Sequence, residues 1–285
     1  MKAISLSTRG QLYNPHAASY ERLRIEVALN YGWSLEPTSA AYTTFRPLAA
    51  QVAIFKRNYS QTPTGNEYRL WNGQKWYRKH GAPITAVPGT STHGRGDTVD
   101  FGNLGGFNGT RFKQLAQVAG FHGWSNTEGR SVNEPWHWTH DAKTDQSAKA
   151  RGWYHVNRPG QKRTQSYNSK GGKARMRSWR FNVFISGTIR WNGRLWGVTN
   201  YGNLYAMNHL TKGKAPKFKA GWYHTSSPTN GWDKALKKVL HKRKPGFNIY
   251  ATSVEVRGNG KTYLVTRYGT RYRAHELTKG KSKKP

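Results

Sequence analysis

Four residues in two separated stretches could together perform metal-dependent hydrolysis. The stretch PGTSTHGRGDTVDFG (residues 88–102) contains His93 and Asp100, and VNEPWHWTH (residues 132–140) contains Glu134 and His137. Zinc accepts histidine nitrogen and carboxylate oxygen, and three protein ligands leave the open position that a catalytic site needs. A further carboxylate could take a proton from the attacking water and pass it to the leaving amine. Spacing alone is equally compatible with ordinary polar histidines.

The first stretch also offers two weaker interpretations. Arg95-Gly96-Asp97 matches an adhesion tripeptide, and matches of this length arise often by chance. A phosphate-binding loop needs G-x-x-x-x-G-K-[ST], or G-x-G-x-x-G between a strand and a helix, and the stretch contains neither. We therefore expect the residues that flank the tripeptide to carry the chemistry.

Both stretches resemble motifs of the zinc D,D-carboxypeptidase and L-alanyl-D-glutamate endopeptidase family of peptidoglycan peptidases. Residues 91–100 follow its S-x-H-x-x-G-x-x-x-D pattern, and residues 134–137 follow E-x-W-H. AAYTTFRPLAAQ (residues 40–51) is similar to its S-G-Y-R-x-x-x-x-Q segment, and RFKQLAQVAGF (residues 111–121) to its helix before a Gly-Phe turn. Order and approximate spacing agree across residues 15–140.

The resemblance implies a role for each matched residue. His93, Asp100 and His137 would bind one zinc ion per chain. Glu134 would be the general base and then the general acid. Arg46 would stabilise the developing oxyanion or hold the substrate, as a fixed cation can.

The resemblance implies substrate contacts for two further residues, Ser91 and Gln51. The chain departs from the family pattern at Thr98, where the family usually has Ala, and at Ala41, where it usually has Gly. Neither position is a ligand, so these departures concern the fit of the substrate.

The elements that position these residues are predicted to form an α+β domain, a small antiparallel sheet with helices. Helical spacing predicts helices ending at Gly32, starting at Pro47, and running from about Thr110 to Ala119, while TVDF and WHWT alternate as strands. Residues 60–88 form a long insertion in which Asn72-Gly73 favours a hairpin. The insertion could be a substrate-side flap or a mobile loop.

Charge divides the chain into two halves. Residues 1–150 contain 17 Lys and Arg against 10 Asp and Glu, whereas residues 151–285 contain 30 against 3. Such a basic surface indicates binding to a polyanion, which could be a nucleic acid, an anionic lipid or an anionic cell-wall polymer. No cysteine is present, which excludes disulfides and thiolate metal sites.

The basic half contains an internal repeat. GWYH occurs at 152–155 and 221–224, and NGRLWGVTNYGNLYAMNHLTKGK (192–214) matches NGKTYLVTRYGTRYRAHELTKGK (259–281). Alternating residues and the Asn192-Gly193 and Asn259-Gly260 turns predict short strands and hairpins. We expect a catalytic domain over 1–145 and two β repeats over 146–217 and 218–285. The repeats resemble bacterial SH3-type cell-wall-binding modules.

Aromatic residues of the repeats could stack on sugar or peptide faces of the wall, although we expect most of them to form the small cores and a minority to contact ligand. The candidates are Trp153, Trp191, Tyr201, Trp222 and Tyr268.

The remaining histidines are expected to have no catalytic role. His80, His122 and His140 are predicted to lie on the surface, whereas His155 and His224 recur in GWYH, which indicates a structural role in each repeat.

These observations predict a peptidoglycan hydrolase that cuts an amide bond of the stem peptide, L-Ala–D-Glu or a D-Ala–D-Ala-type bond, and is held on the wall by basic repeats. The expected partners are peptidoglycan and anionic polymers such as teichoic acid, and we expect a monomer. No signal-peptide-like region or membrane span is recognised, so the chain resembles a phage endolysin made in the host cytoplasm and released at lysis. The alternative is a basic nucleic-acid-binding protein.

Overall fold

The computed structural model describes residues 4–5, 10–156, 163–178, 181–215, 218, 220–256 and 262–282. The chain divides into two compact units. The first unit comprises Met1–Arg151 with Ser186–Val198, and the second comprises Gly152–Ile185 with Thr199–Pro285. The first unit thus includes a segment that the sequence analysis assigns to the first repeat. No helix in the described ranges is long and apolar enough to cross a membrane.

Helices occur mainly in the first unit. The α-helices are α1 (His16–Tyr31), α2 (Leu48–Asn58), α3 (Thr92–Arg95), α4 (Thr110–Ala119) and α5 (Thr127–Ser131). Short 3-10 helices cover Gly120–His122, Ser147–Ala150, Met207–His209 and Ala274–Glu276.

Strands occur in both units and all of their described pairings are antiparallel. In chain order they are β1 (Ile4–Ser5), β2 (Gln11–Leu12), β3 (Tyr59–Ser60), β4 (Tyr68–Trp71), β5 (Gln74–Arg78), β6 (Thr98–Asp100), β7 (Trp124–Ser125), β8 (His137–His140), β9 (Gly152–Val156), β10 (Arg163–Tyr167), β11 (Lys173–Ser178), β12 (Asn182–Ile185), β13 (Gly187–Trp191), β14 (Arg194–Val198), β15 (Leu204–Ala206), β16 (Leu210–Lys212), β17 (Gly221–Thr225), β18 (Thr229–Trp232), β19 (Val239–Arg243), β20 (Asn248–Val256), β21 (Thr262–Thr266), β22 (Arg271–Arg273) and β23 (Leu277–Lys279).

The predicted α+β character of the N-terminal part is confirmed. Helix α1 buries Tyr20, Leu23 and Val27 completely, as its spacing predicts. It ends at Gly32, whose φ of 74° is left-handed and whose N–H donates to the Ala28 carbonyl. Helix α4 has its predicted bounds, and a three-stranded sheet in the order β6-β8-β7 carries the two candidate ligand segments.

One core joins this sheet to α1 and α4. Phe101, Phe112 and Trp138 pack with their ring centroids 5.5 to 6.4 Å apart, and each is almost fully buried. Phe101 follows β6, Phe112 lies in the first turn of α4, and Trp138 lies on β8. Their close packing in one apolar core holds the ends of β6 and β8 in place.

The insertion forms the predicted hairpin. Strands β4 and β5 meet at Asn72 and Gly73, whose positive φ values of 51° and 73° suit a two-residue hairpin turn. Strand β3 completes the small sheet, and Phe55 of α2 stacks on Tyr59 with ring centroids 4.7 Å apart. The small sheet thus packs against the end of α2 through Phe55 and Tyr59, and a role as a substrate-side flap stays a prediction.

Two histidines predicted to be on the surface are buried instead. The ring nitrogen Nε2 of His122 lies 2.9 Å from Glu26 Oε2 on α1, and burial lowers the pKa of His122. His140 is 2% exposed, and its Nδ1 lies 2.7 Å from Nδ1 of His16. The prediction failed because the partners lie 96 and 124 residues away in the sequence. His80 is exposed as predicted.

The second unit is dominated by antiparallel strands. Strand β9 pairs with β12 and β16, and the equivalent strand β17 pairs with β20 and β23. Strand β17 belongs to a seven-stranded sheet in the order β19-β18-β22-β21-β20-β17-β23. These pairings agree with the predicted β character of the repeats. The predicted Asn259-Gly260 turn lies outside the described residues, whereas Asn192 and Gly193 form the β13–β14 turn in the first unit.

Candidate metal site and its surroundings

The register of β6 against β8 brings the two ligand stretches together. Asp100 is the direct cross-strand partner of His137, and His137 Nδ1 lies 3.1 Å from Asp100 Oδ1. His93 reaches the same oxygen from the short helix α3, with its Nε2 at 3.3 Å. One potential ligand atom from each residue lies within 4.8 Å of the other two. The three predicted ligands therefore form a single cluster.

A backbone carbonyl orients His93. Its Nδ1–H donates to the Thr44 carbonyl over 2.8 Å, so Nε2 is the nitrogen that faces Asp100. A histidine that binds a metal commonly donates its other nitrogen in this way, which fixes the tautomer. Because His93 is only 3% exposed, the ring has little freedom to turn.

The donor set fits a divalent metal of the zinc type. Two imidazole nitrogens and one carboxylate oxygen are ligands that zinc accepts, with a position left for water. Burial alone would raise the pKa of Asp100, but hydrogen bonds from His137 and His93 lower it to about 2. The carboxylate is therefore ionised at neutral pH, as a metal ligand must be.

Glu134 lies beside the cluster. Its Oε2 is 3.8 Å from Nδ1 of His137, and its side chain is 39% exposed, so solvent reaches it. Burial raises the pKa of Glu134 and the charge of Asp100 adds to this, against the opposing effect of His137. A carboxylate with a raised pKa is better matched to accepting and returning a proton near neutral pH.

Arg46 lies at the entrance to α2 and next to His93. Its backbone N–H donates to the His93 carbonyl over 3.1 Å, which ties the two residues together. Burial lowers the pKa of Arg46, while the charges of Asp100 and Glu134 act in the opposite direction. Its Nε is buried without a hydrogen-bond partner among the described residues. A contact between the guanidinium and a substrate oxygen stays a prediction.

The two predicted substrate-contact residues differ in what they bond. Gln51 donates from Nε2 to the Arg46 carbonyl over 2.9 Å and accepts the Gly89 N–H over 3.0 Å, so its amide ties α2 to the loop before Ser91. Ser91 is buried, and its carbonyl accepts the Gly94 N–H. The structure places both next to the cluster, and a direct contact with substrate stays a prediction.

The hydroxyl of Thr98 bonds to residues other than the three candidate ligands. Thr98 is fully buried, its Oγ1 donates to Asp97 Oδ1 over 3.0 Å, and its cross-strand partner is Thr139. The departure from the family pattern is accommodated within the β6–β8 sheet.

Sequence reasoning missed Asn126, which holds the loop that carries Glu134. Its buried Nδ2 group donates to the His137 carbonyl over 2.6 Å and lies 3.3 and 3.4 Å from the carbonyls of Glu134 and Pro135. Gly129 is required by the same loop, because a Cβ there would lie 2.4 Å from the Glu134 carbonyl oxygen. No motif marks these residues, since their partners are backbone atoms.

Glu128 and Thr92 face the second nitrogen of His137. Glu128 Oε2 and Thr92 Oγ1 each lie 3.4 Å from Nε2. An acceptor at this nitrogen keeps a proton there and leaves Nδ1 free to face Asp100. Neither residue was singled out from the sequence, because only the fold brings α3 and α5 to opposite sides of His137.

The predicted wall-contact aromatics have different exposures. Tyr201 and Tyr268 are 91% and 76% exposed and occupy equivalent turns, and Trp153 and Trp222 are about half as exposed. Trp191 is partly buried in the β13–β14 hairpin, with its ring centroid 5.1 Å from that of Trp196. A role for any of them in binding the wall stays a prediction.

His155 and His224 have the predicted structural role. The Nδ1–H of each donates to a glycine carbonyl, Gly213 in the first repeat and Gly280 in the second, over 2.9 and 3.1 Å.

A candidate metal centre with an adjacent carboxylate and guanidinium is the arrangement of a metal-dependent hydrolase. No protein-family model matches the chain, and no curated protein matches it. Among solved structures, the chain is similar to VanYB in complex with D-alanine-D-alanine, with 19% identity and a TM-score of 0.32. The match covers 49% of this chain and 77% of that one.

Proposed function

We propose that this protein is a zinc-dependent peptidase that hydrolyses an amide bond in the stem peptide of peptidoglycan. The observation that carries the proposal is the convergence of His93, Asp100 and His137 on one point, with Glu134 and Arg46 beside it. The similarity of these segments to the motifs of peptidoglycan peptidases supports the choice of substrate. The L-Ala–D-Glu bond and a D-Ala–D-Ala-type bond are the two candidates.

Each residue has a task that follows from its position. His93, held by the Thr44 carbonyl, presents Nε2, while Asp100 and His137 present an oxygen and a nitrogen to the same point. These three residues would hold a zinc ion, which would supply Lewis acidity and lower the pKa of a water bound there.

Glu134 accepts at its carboxylate a proton from the attacking water, whose oxygen forms the new bond to the amide carbon. It returns that proton to the nitrogen as the C–N bond breaks. Its pKa, raised by burial, suits both transfers. Arg46 donates from its guanidinium to the substrate oxygen that gains negative charge, as a fixed cation beside Asp100 and Glu134 can.

We further propose that the basic region anchors the enzyme on the wall. Residues 151–285 contain 30 Lys and Arg against 3 Asp and Glu, which favours attraction to an anionic polymer. A wall-degrading enzyme with an anchor of this kind is suited to the task of an endolysin, which acts on the wall after release at lysis.

Digestion of purified peptidoglycan tests the catalytic proposal. We expect the zinc-loaded protein to release peptides with one new amino terminus and one new carboxyl terminus, and mass spectrometry identifies the cleaved bond. The Glu134→Gln variant should bind zinc normally and lose about 10²- to 10⁴-fold in kcat. Full activity of Glu134→Gln, or of protein stripped of metal, would contradict the mechanism.

A further inference from the structure

An exposed tryptophan in the first repeat forms part of a three-residue cluster. Trp153 on β9 is 43% exposed and meets the ring of its cross-strand partner Phe184 edge-on, with centroids 5.6 Å apart and planes at 77°. The ammonium of Lys214 lies 4.3 Å from the centre of the Trp153 ring. The cluster presents a positive charge beside an accessible aromatic surface.

The second repeat builds the same cluster at equivalent positions. Trp222 on β17 is 41% exposed and meets its cross-strand partner Tyr250 edge-on, with centroids 5.3 Å apart and planes at 76°. The ammonium of Lys281 lies 4.5 Å from the centre of the Trp222 ring. We call the two sets the Trp–Lys clusters.

The lysine of the first cluster is positioned by the backbone on both sides. The Gly213 N–H donates to the Trp153 carbonyl over 2.7 Å, and the Ala215 N–H donates to Asn182 Oδ1 over 2.7 Å. The ring of His155 adds a bond to the Gly213 carbonyl. Lys214 lies between these two hydrogen-bonded residues. Its backbone is therefore fixed, and its side chain extends over the Trp153 ring.

The second repeat repeats each of these bonds. The Gly280 N–H donates to the Trp222 carbonyl over 2.8 Å, and the Ser282 N–H donates to Asn248 Oδ1 over 2.7 Å. His224 contacts the Gly280 carbonyl as His155 contacts that of Gly213. Two copies that differ at many other positions thus keep both the cluster and its supports.

The Trp–Lys clusters contribute little to the stability of the fold. A cation over an aromatic ring at an exposed site contributes only about 0.5–1 kcal/mol. Among the described residues, neither Lys214 nor Lys281 forms an ion pair with a carboxylate; Glu255 pairs with Arg271 and Glu276 with Arg273. Both ammonium groups therefore remain available to an anion from outside the chain.

We propose that the two Trp–Lys clusters are equivalent binding sites for a cell-wall polymer whose repeating unit carries a phosphate beside a sugar or polyol. A compact ammonium binds phosphate as a point charge, and the tryptophan offers an apolar face to the carbon skeleton next to it. Two sites on one chain raise the effective concentration of the second contact once the first is made. This inference rests on the proposed function, because it assigns the polymer to the wall.

Sedimentation with purified Gram-positive walls tests the inference on the full-length protein. We expect the double variant Lys214→Gln/Lys281→Gln to lower wall affinity about tenfold or more. Each single variant should cause a large part of the same reduction, because bivalent binding requires both sites. The matched control Lys170→Gln/Lys242→Gln removes the same charge from two other exposed lysines and should lose much less.

The outcomes separate the inference from its alternatives. Equal losses in the site variant and the control would overturn it, because net charge would then account for binding. Undiminished binding to walls stripped of phosphate polymer would overturn the choice of ligand. The choice would also be overturned if Lys214→Gln/Lys281→Gln lost DNA binding but kept wall binding. Cleavage of a small soluble stem peptide should be unchanged in the lysine variants, so a failed anchor is distinguishable from a failed peptidase.

Discussion

At the scale of single residues, the candidate site depends on groups that are fixed by backbone atoms. Thr44 orients His93 through its carbonyl, and Asn126 spans the carbonyls of the loop that carries Glu134 and His137. Groups that do not touch the substrate therefore decide whether the ligands and the base point at the same place.

The guanidinium of Arg46 is expected to act on the reacting oxygen. Arg46→Ala should lower kcat by about 10²- to 10³-fold, the usual effect of removing one oxyanion donor, because the guanidinium would no longer be present. Zinc content, measured by atomic absorption, should remain at one ion per chain. An unchanged kcat would show that Arg46 supports the fold rather than the reaction.

Asn126 is expected to act through the residues that it positions. Asn126→Ala would remove the amide that joins the carbonyls of Glu134, Pro135 and His137, and we expect zinc affinity to fall by about 10- to 100-fold. Competition with a chromogenic chelator measures this affinity independently of activity. Asn108→Ala, a change of the same type at an exposed position, is the control and should leave the affinity unchanged.

At the scale of elements, the β6–β8 register and the α5–β8 loop bring the ligands together. Asp100 faces His137 across the two strands, and Gly129 allows the loop to close against them. A shift of one residue in the register would send Asp100 and His137 to opposite faces of the sheet.

Gly129→Ala tests the closeness of this packing. The added Cβ would meet the carbonyl oxygens of Glu134 and His137 at 2.4 and 2.6 Å, so the loop must move. We expect a lower melting temperature and a loss of zinc affinity, measured by calorimetry and chelator competition. Gly120→Ala is the matched control, because a Cβ there meets nothing within 4 Å, and equal behaviour of the two variants would contradict the argument.

Local elements were predictable and their partners were not. The bounds of α4, the cap of α1 and the Asn72-Gly73 turn follow from spacing and from glycine or asparagine at positive φ. The burial of His122 and His140 was mispredicted, because hydrophobic periodicity carries no information about polar partners that are distant in sequence.

At the scale of the whole molecule, a buried ion pair links distant parts of the first unit. Arg22 of α1 donates from Nη2 to Asp145 Oδ2 over 2.7 Å and from Nε to Ser147, and both members of the pair are almost completely buried. The Ser147 carbonyl in turn accepts from Thr188 on β13. The pair thereby belongs to the contacts that hold Ser186–Val198 in the first unit.

This pair predicts an acid-labile contribution to stability. Burial alone would raise the pKa of Asp145, but the imidazole of His140, whose Nε2 is 3.5 Å from Oδ2, and the charge of Arg22 lower it to about 2. Because this value lies below the ~3.9 of an unfolded aspartate, the contribution is present above about pH 4 and is lost as the pH falls toward 2. Chemical unfolding of the wild type across this range measures the loss.

Asp145→Asn should remove that pH dependence and destabilise the first unit at neutral pH. Leaving Arg22 buried without its carboxylate costs on the order of 3–5 kcal/mol. The exposed Arg78–Glu67 pair provides the control, and Glu67→Gln should change stability by about 1 kcal/mol or less. A small effect of Asp145→Asn would mean that the pair is not important for the fold.

The sequence by itself determined which residue types are available for chemistry, their order along the chain, the local helices and turns, and the duplicated, strongly basic C-terminal region. These depend on side-chain type, short-range spacing and composition. Tertiary structure alone decided which nitrogen of each histidine faces Asp100, that Asn126 holds the Glu134 loop, and that Trp153 and Trp222 each meet a lysine. Those contacts join residues that are far apart in the chain, and only the packed fold brings them within reach.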